Sequence, residues 1–345
     1  MKAAVYEGIE RITVREYGNP KCDPNSIVIR VNSCAICGSD IRIYHHGKSN
    51  LKPPQITGHE IAGTVTETGK NVTSYSVGDR IQVPAIVSCG ECYYCKKGRS
   101  NLCEHFAAIG YEYQGGFAEY MPVPSQMIRD NSVNRIDNKV SFDEACIAEP
   151  IACAINGQEL SQVSDGDIVV IIGAGPIGCM HIELAKINGA KKIILSDISK
   201  ERLKIAEQFS ADYYINPSEE DIISRVMNIT NNHGADVIIV AASSGKAQED
   251  AVKMAAYYGR INFFGGLPKD NSYVKLDSNL IHYKELFING TSGSLPRHNK
   301  KALDLITSGK LDANKFITHR FPLDKILEGF TVIEKGLALK VVINP

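Results

Sequence analysis

Four thiols fall within fifteen residues in Cys89-Gly-Glu-Cys92-Tyr-Tyr-Cys95-Lys-Lys-Gly-Arg-Ser-Asn-Leu-Cys103. Two successive C-x-x-C steps and a fourth cysteine can wrap a tetrahedral ion without help from distant segments. With all four positions filled by protein, no place is left for water or substrate, so the site is structural and zinc suits it. The same spacing also admits a redox pair or an iron–sulfur cluster. A zinc ribbon can serve nucleic acid, but Lys96, Lys97 and Arg99 are the only basic residues here, too few to track a phosphate backbone.

A second set of metal-ligating types is scattered. Cys37-Gly-Ser-Asp40 follows one β-type run, Gly58-His59-Glu60 opens another, and Glu149-Pro150 lies far downstream. A catalytic zinc takes about three protein ligands and keeps one open position for a water or alcohol oxygen. Cys37 and His59 offer two ligands, and either Glu60 or Glu149 offers the third. Each residue also has a plainer reading: a core cysteine, a satisfied histidine, a helix-boundary Glu-Pro.

The third candidate is Asp167-Ile-Val-Val-Ile-Ile-Gly173-Ala-Gly175-Pro176-Ile177-Gly178. An apolar run breaks into glycines and then into a helical pattern through Ile177, Met180 and Leu184. Gly173 permits the tight turn, Gly175 keeps a side chain off a pyrophosphate, and Gly178 lets helix press on strand. The helix N-terminus would face the phosphates. A second strand ends in Asp197, about 20 residues past the glycines, where an acid meets the adenosine ribose hydroxyls and repels a 2′-phosphate. That favours NAD over NADP, and Arg202 softens the discrimination.

These residues need elements to hold them. Up to about residue 150 the chain reads as short β-branched runs (3–6, 12–16, 26–31, 60–67, 80–83) separated by turn signals, a barrel-like pattern. From about 153 to 290, six strands alternate with amphipathic helices, the rhythm of a doubly wound parallel sheet. The last ~55 residues carry two helical patterns, 300–307 and 323–334, and a strand at 339–343. They have no place in a completed six-stranded sheet, so the tail is expected to return to the first domain.

The bulk properties agree. With 345 residues and 43% hydrophobic content the chain can bury two cores. A net charge of −1 and the lack of any run of five like charges recruit neither nucleic acid nor an anionic membrane. No stretch reaches the ~18 apolar residues of a membrane span, and the N-terminus lacks a signal-peptide core. A cytoplasmic protein is expected, with its ten cysteines serving as thiolates and core residues rather than disulfides.

Taken in order, Cys37-Gly-Ser-Asp, Gly58-His-Glu, Val77-Gly-Asp-Arg80, the Cys89–Cys103 lobe, Gly115-Gly-Phe-Ala-Glu-Tyr120, Glu149-Pro150 and Gly173-Ala-Gly-Pro-Ile-Gly178 resemble the zinc-dependent medium-chain dehydrogenases. The branch is that of sorbitol and other polyol dehydrogenases and threonine dehydrogenase. The resemblance implies an α/β protein: a GroES-like β-barrel catalytic domain (1–152) carrying the lobe at 89–103, a Rossmann doubly wound parallel sheet binding NAD (153–290), and a C-terminal return to the catalytic domain (291–345). Dimers or tetramers are implied too. Cys37 and His59 would hold catalytic zinc, Glu60 and Glu149 would supply the third ligand and a supporting acid, and Ser39 would pass the substrate proton outward. Cys89, Cys92, Cys95 and Cys103 would hold structural zinc. Pro176, Ile177, Asp197 and Arg202 would join the glycines at NAD.

The expected activity is hydride transfer from a secondary alcohol of a polyol or sugar alcohol to NAD, with the cleft between domains closing to exclude water. Threonine or a polyol phosphate is the alternative substrate, and a non-catalytic NAD-binding zinc protein is the alternative of another class. Two departures from the family pattern bear on substrate. Arg42 stands where many relatives have a relay histidine, with His45 and His46 as possible replacements; it is either a surface ion pair or an anion contact. Gly290-Thr-Ser-Gly-Ser294 is closer to threonine dehydrogenase than to the sorbitol enzymes, whereas Ser199-Lys-Glu-Arg202 is closer to the polyol group.

Overall fold

The computed structural model describes residues 1–345, which form two compact units: 1–152 with 293–345, and 153–292.

The first unit is mostly antiparallel β. Its largest sheet runs Asn134–Arg135, Arg80–Val83, Glu60–Thr68, Ile27–Ala35, Lys340–Asn344, Ile317–Pro322, and Tyr120–Val123 also pairs with Ile27–Ala35. Ile27–Ala35 is thus central, and its alternate apolar residues (Ile27, Ile29, Val31) join Val65, Ile81, Phe117 and Met121 in one core. Burial on this scale is the main term that holds such a sheet together. The C-terminal strand Lys340–Asn344 docks on the central strand through Val342↔Ala35 and Ile343↔Cys34. Asp143 strengthens that docking, accepting bonds from Ser33 Oγ (2.5 Å), Arg320 Nε (2.6 Å) and Asn344 Nδ2 (3.0 Å). Burial opposes the charge of Asp143, but the three donors carry its carboxyl below the usual range.

The second unit is a six-stranded sheet in the order Tyr213–Ile215, Lys192–Ser196, Ile168–Ile172, Ala235–Val240, Ala255–Phe263, Phe287–Gly290, with every pairing parallel. Strand order reverses between Ile168–Ile172 and Ala235–Val240, so a crevice opens at their C-terminal ends. No helix in either unit is long and apolar enough to cross a membrane.

Candidate metal centres and dinucleotide site

Register explains how distant residues meet. Glu60–Thr68 pairs antiparallel with Ile27–Ala35 so that Ala35 faces Glu60 and Cys34 faces Ile61. Two residues beyond Ala35 the chain reaches Cys37, the N-cap of helix Gly38–His46, while His59 immediately precedes Glu60. Ligand atoms of Cys37, His59 and Glu60 therefore all lie within 4.8 Å of one another, with His59 and Glu60 buried.

Neighbouring groups prepare each of the three. Asp40, buried on the first turn of that helix, accepts the Cys37 backbone N–H at 2.9 Å and turns its other oxygen to His59 Nδ1 at 3.6 Å. With Asp40 facing Nδ1, Nε2 would be the nitrogen turned to a metal, in the manner of a carboxylate behind a ligating imidazole. Burial pushes the Cys37 thiol up, but the hydrogen bond and charge of His59 and the charge of Lys340 outweigh it and bring the thiol to about 7. Burial works against a charged His59, yet Asp40 and Tyr111 carry its pKa well above the ordinary value. Glu60 is raised by burial, which the Lys340 ammonium opposes; Nζ donates to Glu60 Oε1 at 2.7 Å and to Ile36 O at 2.8 Å.

Ser39 Oγ is shielded and has no hydrogen-bond partner, and Asp40 Oδ1 and His59 Nδ1, 3.6 Å apart, face each other without closing a hydrogen bond. Such orphans are costly in a finished interior. A thiolate, an imidazole and a carboxylate converging among them fit a divalent zinc with an open position.

Glu149, on the first turn of helix Ala148–Leu160, is buried and close enough for its charge to raise Glu60, but it is outside the trio within 4.8 Å. His45 bonds Glu10 and Glu334 at the surface. Arg42 makes no ion pair. Its charge is felt by Lys48, whose ammonium sits 3.6 Å from the Tyr111 ring centroid, and Tyr111 in turn lies 5.7 Å from the His59 ring.

The second thiol group is closed. Sγ separations of 3.5 Å (Cys89–Cys103) and 3.9 Å (Cys89–Cys95, Cys92–Cys103) approach the ~3.8 Å edge of a tetrahedron with bonds of about 2.3 Å, and none of the cysteines is in a disulfide. Backbone N–H groups of Cys92, Cys89 and His105 point at sulfurs at 3.3 Å, which favours thiolate. Bonds from the backbone of Cys95 and Glu104 bring Cys92 to about 6. This donor set fits zinc and leaves no room for substrate.

In the second unit, Gly173 has φ 113°, and a Cβ on Gly178 would stand 1.7 Å from Gly173 O, so both positions require glycine. A Cβ on Gly175 would meet nothing of the protein within 4 Å; its absence keeps open space at the N-terminus of helix Pro176–Ile187. Asp197 Oδ2 accepts Ala174 N–H at 2.7 Å and Oδ1 accepts Ser199 N–H at 2.8 Å. Asp197 is thereby fixed to the glycine turn itself. Beside it lies a cavity of about 420 Å³ lined by Gly173, Asp197, Arg202, Ser243 and Lys246. Shape and donors fit the adenosine half of NAD.

Residues 23–130 match the alcohol dehydrogenase GroES-like domain, and 176–308 match the zinc-binding dehydrogenase domain. L-threonine 3-dehydrogenase of Pyrococcus horikoshii is 37% identical over 332 residues, covering 94% of this chain and 92% of that one. The chain belongs to the zinc-dependent medium-chain dehydrogenases. Among solved members, alcohol dehydrogenase of Thermus sp. ATN1 superposes with a TM-score of 0.90 at 32% identity, covering 100% of this chain and 99% of that one. An alcohol dehydrogenase of Escherichia coli CFT073, solved with NADH, gives 0.91 at 29% identity with the same coverage. The protein is an enzyme of this family that uses zinc and NAD.

In this dehydrogenase three site residues escape a reading of sequence alone. Asp40 stands inside the quoted Cys37 motif, and its spacing of three from an N-cap is a capping signal that could have drawn attention. Tyr111 and Lys340 carry no local signal.

Proposed function

We propose that the chain oxidises the secondary alcohol of a 2-amino-3-hydroxy acid, with L-threonine the leading substrate, and passes the hydride to NAD. The observation that carries this reading is the 37% identity with a threonine dehydrogenase across 94% of the chain. The polyol reading, first from sequence, is the less supported of the two. Gly290-Thr-Ser-Gly-Ser294 favours threonine as well.

Cys37, His59 and Glu60 would hold the zinc, with Glu149 as a second carboxylate beside it. When bound, zinc supplies Lewis-acid polarisation of the substrate hydroxyl and NAD supplies the hydride acceptor. Ser39 Oγ, shielded and without a partner, accepts the proton that the hydroxyl gives up and hands it outward. Asp40, 3.6 Å from His59 Nδ1, would favour the tautomer that presents Nε2 to the ion. Arg42 and Lys48, two cations beyond Tyr111, would meet the substrate carboxylate. The same pair suits a phosphate, so a polyol phosphate is the second reading.

NAD reduction measured with L-threonine, sorbitol and a hexitol phosphate tests this. We expect kcat/KM for L-threonine to exceed that for sorbitol at least ~10-fold, equivalent to about 1.4 kcal/mol. Sorbitol as the better substrate would reject the threonine reading, and a preference for the phosphate would install the second one. A cytoplasmic setting and a dimeric or tetrameric state rest on family likeness, and fractionation and light scattering test them.

A further inference from the structure

Lys340 is the only lysine or arginine among the buried residues, 3% exposed on the strand Lys340–Asn344. A buried ammonium is costly, and a strand that only had to complete a core would be served as well by an aliphatic residue. The side chain nevertheless runs inward. Its Nζ bonds Ile36 O at 2.8 Å, one residue before Cys37, and lies 2.7 Å and 2.5 Å from the two oxygens of Glu60. One ammonium thus ties together the backbone leading to one candidate ligand and the carboxylate of another.

Charge counting gives the reason. The thiolate of Cys37 and the carboxylates of Glu60, Glu149 and Asp40 crowd four negative charges in and around the ligand set proposed above, more than a divalent ion neutralises. In a water-poor interior the remaining charge is expensive unless a fixed cation stands beside it. We propose that Lys340 is a positioning residue of the metal centre: it aims Glu60 and sets a fixed positive charge beside the anionic donors. The inference rests on the ligand set of the proposed function.

The test is zinc retention, read as zinc per chain during titration with a chromophoric chelator, alongside the melting temperature. Wild type should hold two ions. K340M should release the second at about 10- to 100-fold lower chelator while the four-thiol lobe keeps its own, and K340R should return most of the difference. E60Q leaves the lysine without its carboxylate partner beside the ion, whereas K340M/E60Q removes that repelling cation as well. The double variant should therefore retain the second zinc better than E60Q alone, and it answers the question if K340M fails to fold. A role in packing alone would not produce that order. Folded K340M with the wild-type chelator curve, or a double variant no better than E60Q, overturns the proposal alone. Wild type that holds only one zinc rejects the ligand set, and the proposal with it.

Discussion

At the scale of single residues, the proposed metal centre is framed by groups outside its ligand set. Asp40 is wholly enclosed, takes one hydrogen bond from the Cys37 amide and faces the far nitrogen of His59, so it orders two ligands at once. Asp40→Asn keeps the shape and removes the charge. We expect about a 10- to 100-fold loss of zinc affinity with little change in melting temperature; competition against a chelator measures it, and an unchanged affinity would remove Asp40 from the site. Legibility differed sharply among such residues. Cys37, His59 and Glu60 stood out because metal-ligating types are few and their motifs are short. Lys340 did not, because a lone lysine in Leu339-Lys-Val-Val-Ile343 looks like any strand residue and its partner lies 280 positions away. The order in which glutamates approach the ion was equally hidden, since burial and register decide it, and neither is local.

At the scale of elements, the glycine turn was readable almost atom by atom. An apolar run from Ile168 to Ile172 has the composition of an interior parallel strand, and the conformation forced on Gly173 follows from the turn that ends it. The strand Ile317–Pro322 went unseen. Its Thr-His-Arg-Phe-Pro stretch is largely solvated and ends in proline, so it lacks the apolar alternation that marks a strand, and it exists because Lys340–Asn344 gives it a parallel partner. Helix 323–334 likewise begins as a short 3-10 turn, Leu323–Lys325, before Ile326–Glu334. A prediction belongs here. Since a Cβ on Gly178 would collide with Gly173 O, G178A must part helix from strand, costing about 1–3 kcal/mol and weakening NAD binding ~10-fold or more. Calorimetry and NADH fluorescence titration read both, and a variant that melts and binds like wild type would contradict the packing described.

For the whole molecule, the two candidate metal sites differ in kind. One is assembled from fifteen consecutive residues, and the other from segments that meet only through sheet register. Graded chelation should therefore act in two stages: activity disappears with the first ion, and thermal stability falls only with the second. Metal analysis at each stage checks the sequence of events, and stability lost before activity would reverse the assignment of the sites. The late docking of the C-terminal strand has a consequence for biosynthesis. The thiol lobe can trap its ion as soon as residue 103 has left the ribosome, but Glu60 waits for its counter-charge through some two hundred and eighty further additions. On the proposed ligand sets, a nascent chain would thus have every donor of one ion long before the surroundings of the other are complete.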